Sequence, residues 1–198
     1  MSLSALVKER FPQWVVGTHQ YRGDDTAMLQ REGLRQVCQF LRDDPQAACH
    51  LLMDLTCVDY LDFGKKRRGS APTMKTPSPL PYFMTSVPTT DTWSRLLSGQ
   101  AGQAEDRFEV VYHLYSLTHN HRIRLKVPTA EGDPVVDSVT DLWQSANWFE
   151  REVWDLFGIR FTGHPNLKRI MLYEPFEGHP LRKDYVVNKR QPLIGPLN

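Results

Sequence analysis

The 198-residue sequence carries 24 Lys and Arg against 23 Asp and Glu, a formal net charge of +1, and is 40% hydrophobic. That is enough chain for one domain with a real core, and the balanced charge gives no global pull toward nucleic acid or an anionic surface. Three cysteines make no disulfide scaffold, no run approaches the roughly 18 apolar residues of a membrane helix, and the start MSLSALVKERFPQW lacks a secretory pattern, so a reducing cytosol is the plainest compartment.

The first residues predict a short helix that stops before Pro12. WVVGTHQY and TAMLQ read as two short strands, with Gly23-Asp24-Asp25 as their turn. In REGLRQVCQFLRDDP, Leu34, Val37, Cys38 and Leu41 fall at i, i+3, i+4 and i+7, which is one apolar helical face, and Pro45 marks its end. On that face Cys38 acts as a small hydrophobe. HLLMDLTCVDYLDF reads as a long strand. RFEVVYHLYSLTHNHRIRLKVP reads as two more, joined at Thr118-His119-Asn120-His121, where Asn accepts the positive φ of a hairpin turn. Ile123, Leu125 and Val127 alternate with Arg122, Arg124 and Lys126, so one strand face is apolar and the other basic. This fits an antiparallel sheet with one covered face.

Residues 62–106 break the pattern. They open on KKRRGS, contain five prolines and are rich in Ser and Thr. A structureless loop of that length is uncommon inside a domain, so the stretch reads as an insertion, mobile or extended. The basic run at 65–68 reads as a solvated loop.

The last helix is bracketed by Ser145 as a cap and Gly158 as a left-handed terminator. Phe149, Val153, Leu156 and Phe157 share an apolar face. Trp148, Arg151, Glu152 and Asp155 make the other side, with Trp148/Glu152 and Arg151/Asp155 at i, i+4. A tryptophan among charges points to a partner surface, because Trp and Arg are enriched at interface centres.

No pattern of catalytic or metal-binding residues stands out in the sequence. Cys38, Cys49 and Cys57 are 11 and 8 residues apart, neither a zinc nor an iron–sulfur spacing. His113, His119 and His121 are the best remaining zinc candidates, but no cysteine or carboxylate lies nearby at useful spacing. There is no phosphate loop, dinucleotide fingerprint or nucleophile elbow. Glu150, Glu152 and Asp155 read as salt-bridge or interface residues rather than general acids. The triplet Gly-His-Pro occurs twice, at Gly163-His164-Pro165 and Gly178-His179-Pro180. Proline drives the preceding histidine out of the α region and glycine frees the backbone, so each triplet redirects the chain. Residues 160–198 carry seven bases against three acids, either a solvated surface or one that meets an acidic partner.

RFEVVYHLYSLTHNHRIRLKVP and WFEREVWDLFGIRFTGHPNLKRIMLYEPFEGHPLRKDY together resemble the thirty-kilodalton-subunit family of respiratory complex I, the C subunit of proton-translocating NADH:quinone oxidoreductase. The close match covers 108–185, with a looser match over LLMDLTCVDY and the helix before it. The resemblance implies a scaffold with no flavin, iron–sulfur cluster or nicotinamide of its own and no activity alone. The complex as a whole would use NADH, flavin, iron–sulfur clusters and quinone. Such a scaffold sits in the hydrophilic arm, against the large D subunit and neighbouring iron–sulfur subunits. It meets quinone only indirectly and no nucleic acid. It reaches the membrane through the complex, on the cytoplasmic face of the inner (plasma) membrane. The interface residues implied are Trp148, Arg151, Glu152, Asp155, His164, His179, Arg182, Lys183 and Tyr185.

Other readings compete. A hydrogenase-type membrane complex carries similar domains, although a chain that stops at Asn198 favours the stand-alone form. A free enzyme would use the three histidines, and a nucleic-acid binder would use Arg122, Arg124, Lys126 and the basic run Lys65 to Arg68. The fold expected is one α+β domain over 1–198: a mainly antiparallel sheet with helices packed on one face, the Pro/Ser/Thr-rich insertion 62–106, and an extended C-terminal arm 186–198. That arm, VVNKRQPLIGPLN, has apolar residues but no period, and is expected to lie along a partner and order on binding.

Overall fold

A carboxylate starts the first helix. In the computed structural model, which describes residues 2–61, 106–193 and 195, α1 spans Leu3–Arg10. The buried Asp25 carboxylate accepts from the Leu3 and Ser4 N–H groups, at 2.6 and 3.3 Å, and from the Ser2 and Ser4 hydroxyls. A negative charge there satisfies orphan donors and suits the helix dipole. Asp25 belongs to β2 (Asp24–Leu29), which pairs antiparallel with β1 (Val15–Tyr21). The turn between them is Arg22-Gly23, with φ of +51° and +90°, so the strand begins at Asp24 and the expected turn is narrower than read.

A 3-10 turn at Arg31–Gly33 leads into α2 (Leu34–Asp43), which buries Leu34, Val37, Cys38 and Leu41 as its spacing requires. Strands β3 (Leu51–Asp59), β4 (Asp106–Ser116) and β5 (His121–Ala130) follow. The insertion expected over 62–106 lies outside the described residues, apart from Asp106, which begins β4. The β4–β5 turn holds Asn120 at φ +51°, as a hairpin needs. It is fastened to the loop after α2 by His119 Nε2 on the Pro45 carbonyl and His121 Nε2 on the Ala47 carbonyl, at 2.8 and 2.7 Å.

The sheet order is β1-β2-β5-β4-β3. All pairs are antiparallel except β2 with β5, so the sheet is mixed but mostly antiparallel. Parallel neighbours need a long crossover, and α2, β3 and β4 all lie between these two. Ala27, Ile123, Leu125, Val110, Tyr112 and Leu55 face one core with Val7 of α1, Leu41 of α2 and the last helix, so the helices share one face. The basic side of β5 is less basic than its alternation suggests. Arg122 is exposed and pairs with Asp24, but Lys126 is buried and bonds Glu109 at 2.7 Å, with the Tyr60 hydroxyl also donating to Glu109. A lysine tolerates that burial only with its charge paired.

Two further strands, β6 (Val135–Asp137) and β7 (Arg160–Thr162), pair in parallel as a separate ribbon and enclose α3 (Ala146–Phe157) in sequence. At three residues each they are too short for alternation to reveal. No helix among the described residues is long and apolar enough to cross a membrane.

Candidate functional site

The site grows from the two ends of α3. Ser145 does not cap it: its Oγ donates to the Leu52 carbonyl on β3 instead. Gly158 does end it, at φ +76°, with its N–H on the Trp154 carbonyl. A helix leaves its last four carbonyls without intrahelical donors. Here the second Gly-His-Pro turn supplies the other three. His179 Nδ1 donates to the Asp155 carbonyl at 2.9 Å, the Leu181 N–H to the Leu156 carbonyl at 3.1 Å, and Arg182 Nε to the Phe157 carbonyl. A Cβ on Gly158 would lie 2.6 Å from both His179 Nε2 and Arg182 Nη2, so glycine is required for space as well as for φ.

The first Gly-His-Pro turn grips the other end. His164 Nδ1 accepts from the Asn166 N–H at 3.0 Å, which leaves Nε2 to donate to the Asn147 carbonyl at 3.2 Å. Burial pushes the pKa of both histidines down, so they act as neutral hydrogen-bonding groups near neutral pH. Both triplets are therefore architecture, as their backbone logic predicts.

Asp155 is the correction with the largest consequence. The i, i+4 spacing puts it opposite Arg151 on an outer face, but its side chain is fully buried and its ion-pair partner is Arg169. One carboxylate oxygen accepts from three successive N–H groups, Ile170, Met171 and Leu172, at 3.1, 2.9 and 2.9 Å. Burial alone would raise its pKa; those donors and the Arg169 guanidinium outweigh it and hold the carboxyl below its ordinary range. LKRIMLY is thus neither helix nor strand, but a loop wrapped on a carboxylate. Arg151 turns to the Lys168 and Arg169 carbonyls and stacks over Trp148, 5.2 Å from the ring centroid. Trp148 stays 63% exposed, so the aromatic on this face is held by Arg151 yet remains largely open. Glu152 is half-buried beside it.

A second hub ties the loop to the sheet. Arg107, buried at the start of β4, bonds Asp59 at 2.7 Å, Asp184 at 2.6 Å and Glu131. Asp59 also accepts from the Lys183 N–H at 2.8 Å. Beyond it, Tyr185 stacks on Phe176, Gln191 Nε2 donates to the Tyr185 hydroxyl, Lys189 pairs with Glu177 at 2.7 Å, and the Tyr173 hydroxyl donates to the Pro192 carbonyl. Over 189–192 the expected arm therefore folds back on its own loop. Val186 and Val187 remain outward, and Leu193 is 94% exposed.

Nothing in the sequence marks Glu150 as internal. It is fully buried and accepts from Ser138 Oγ at 2.7 Å and the Val139 N–H at 2.8 Å. Burial raises its pKa to about 7 against those two bonds. The folded chain then binds a proton that the unfolded chain has released above its usual carboxylate pKa, so this group makes stability fall as pH rises from about 4.3 toward 7. Glu150→Gln keeps the shape and removes the titration. We expect urea melts of that variant to lose this slope and to show equal or greater stability than the parent at pH 7.5. A steeper slope in the variant would contradict the assignment.

Of the zinc candidates, His119 and His121 come together, with ring centroids 5.3 Å apart, but without a third ligand among the described residues. His113 is half-buried on β4, and His119 and His121 each hold a carbonyl through Nε2. Among the described residues no group of three or more His, Cys, Asp or Glu is placed to hold a metal. Burial pushes the Cys49 and Cys57 thiols up to about 11 and about 12, and Cys38 higher still, so none is a ready thiolate.

Fold and site together define a small mixed-sheet α+β domain whose last helix is clasped by its own C-terminal loop. The family model described as respiratory-chain NADH dehydrogenase, 30 Kd subunit, matches residues 27–191. The chain is 39% identical to the C subunit of NADH-quinone oxidoreductase from Roseiflexus castenholzii, over 91% of this chain and 80% of that protein. It is 38% identical to the C subunit of the same enzyme from Citrifermentans bemidjiense, over 97% and 94% of the two chains. A solved trypsin-resistant fragment (1-134) of Nqo5 superposes with a TM-score of 0.56 at 29% identity, covering 84% of this chain and all of the fragment. The chain belongs to the 30 kDa subunit family of respiratory-chain NADH dehydrogenase.

Proposed function

We propose that the chain is a non-catalytic subunit in the hydrophilic arm of NADH:quinone oxidoreductase. In this reading it braces the large D subunit beside the quinone site and contacts neighbouring iron–sulfur subunits. It holds no redox centre itself; NADH, flavin, clusters and quinone belong to the rest of the complex. It reaches the cytoplasmic face of the membrane only through that complex. The observation that carries the reading is the clasp: its carboxylates Asp155, Glu177 and Asp184 are bonded within the chain, while Trp148 on α3 and Val186, Val187 and Leu193 on the loop are exposed. Exposed aromatic and aliphatic groups fit docking better than catalysis. The other proposed interface residues divide accordingly. Lys183 faces outward, whereas Asp155, His164, His179, Arg182 and Tyr185 shape the surface from within.

The test is a strain lacking the chain. Its membranes should lose NADH:quinone reductase activity and regain it when the chain is supplied. Quinone reduction at the parental rate without the chain would overturn the proposal.

A further inference from the structure

The clasp has two sides, and they differ in chemistry. Asp184, Lys189 and Gln191 are bonded within the chain, to Arg107, Glu177 and Tyr185 respectively, with Asp184 and Lys189 still half exposed. Lys183, Val186, Val187, Arg190 and Leu193 turn outward. The same division appears in the charges. Of the bases between 160 and 193, Arg169 is neutralised by Asp155 and Lys189 by Glu177. Arg160, Lys168, Arg182, Lys183 and Arg190 have no carboxylate partner among the described residues. Of the acids, Glu177 pairs with Lys189 and Asp184 with Arg107, which leaves Glu174. Pairing within the chain therefore takes up two bases and two acids, and the groups left without a charge partner among the described residues are five bases and one acid.

Resting on the docking reading above, we propose that the outward side of 181–193 seats in an apolar groove rimmed by carboxylates on a protein partner, with Lys183 and Arg190 meeting the rim and Val186, Val187 and Leu193 filling the groove. Charge complementarity commits the partner to an acidic surface. The backbone favours a protein over a lipid surface. The segment is no amphipathic helix; its anchors fix the outward side chains along an irregular path, which suits discrete pockets rather than a planar interface. Complementary charge of this kind speeds association and is screened by salt.

The probe is the complex purified in mild detergent from a strain lacking this chain, immobilised and titrated with the full chain at several salt concentrations. K183E/R190E should weaken binding tenfold or more and flatten its salt dependence. V186S/V187S/L193S should weaken it with the salt dependence retained. R10E/R22E makes the same charge change at exposed sites outside the clasp, and should bind like the parent. Circular dichroism of each variant confirms the fold. If the parent binds and K183E/R190E binds equally well with an unchanged salt slope, this proposal falls while the docking reading stands. If the parent does not bind at all, the docking reading falls with it. Parent binding to phosphatidylglycerol vesicles but not to the depleted complex would overturn the protein partner in favour of a lipid surface.

Discussion

Asp155→Ala should destabilise the isolated chain by about 3–5 kcal/mol, because it strands a partly buried guanidinium and three backbone donors. In the parent the carboxylate joins α3 to the loop after β7 through Arg169 and the N–H groups of 170–172. An exposed i, i+4 pair would be worth well under about 1 kcal/mol, so the size of the effect separates the two readings of this residue. Urea melts of parent and variant give the number. A loss near zero would return Asp155 to the surface. Arg169→Ala in the Asp155→Ala background should add much less than it does alone, since both variants break one network.

Arg107→Met is the second large effect. Arg107 is the counter-charge of Asp59, whose side chain is fully buried. Burial pushes the Asp59 pKa up, but Arg107, with the Lys183 and Leu61 N–H groups, outweighs it and holds the carboxyl below its ordinary range. In the parent this group therefore contributes stability above the ordinary carboxylate pKa and loses it as pH falls through the folded value. Without Arg107 the burial effect prevails and the sign reverses: the variant should lose stability as pH rises from about 4 to 7. The gap between parent and variant should widen over that window to about 3–5 kcal/mol at pH 7. Melts at the two ends of the window check it, and a gap independent of pH would show that Asp59 is not the group left uncompensated. The variant should also release Asp184, and residues 183–185 with it, which faster amide exchange would register.

What could be read in advance was what repeats or what only one residue type can do. Leu34, Val37, Cys38 and Leu41 recur with the helical period, and they are buried. Ile123, Leu125 and Val127 recur with the strand period, and they face the core. Gly158 ends a helix because few other residues adopt its φ, and the histidines before proline mark turns for a similar reason. What stayed hidden depends on distant partners. A carboxylate on a helix looks the same in sequence whether it faces water, as Asp155 was expected to, or accepts N–H bonds from 170–172. Glu150 and Lys126 are further cases: their burial follows from Ser138 and Glu109 lying opposite, which no periodicity encodes. The parallel pairing of β2 with β5 is likewise a non-local choice. Asp155 did leave one local trace, a carboxylate followed two residues later by a terminating Phe157-Gly158, but that trace has meaning only once His179 and Arg182 are seen to close on the same turn.

The most direct test of the account compares amide hydrogen exchange of the chain alone with that of the chain within the affinity-purified complex. Docking through the clasp predicts slower exchange on assembly over 181–193 and around Trp148, with the Arg22-Gly23 turn unchanged. Assembly that leaves both regions exchanging as fast as in the free chain would contradict the clasp as the docking surface.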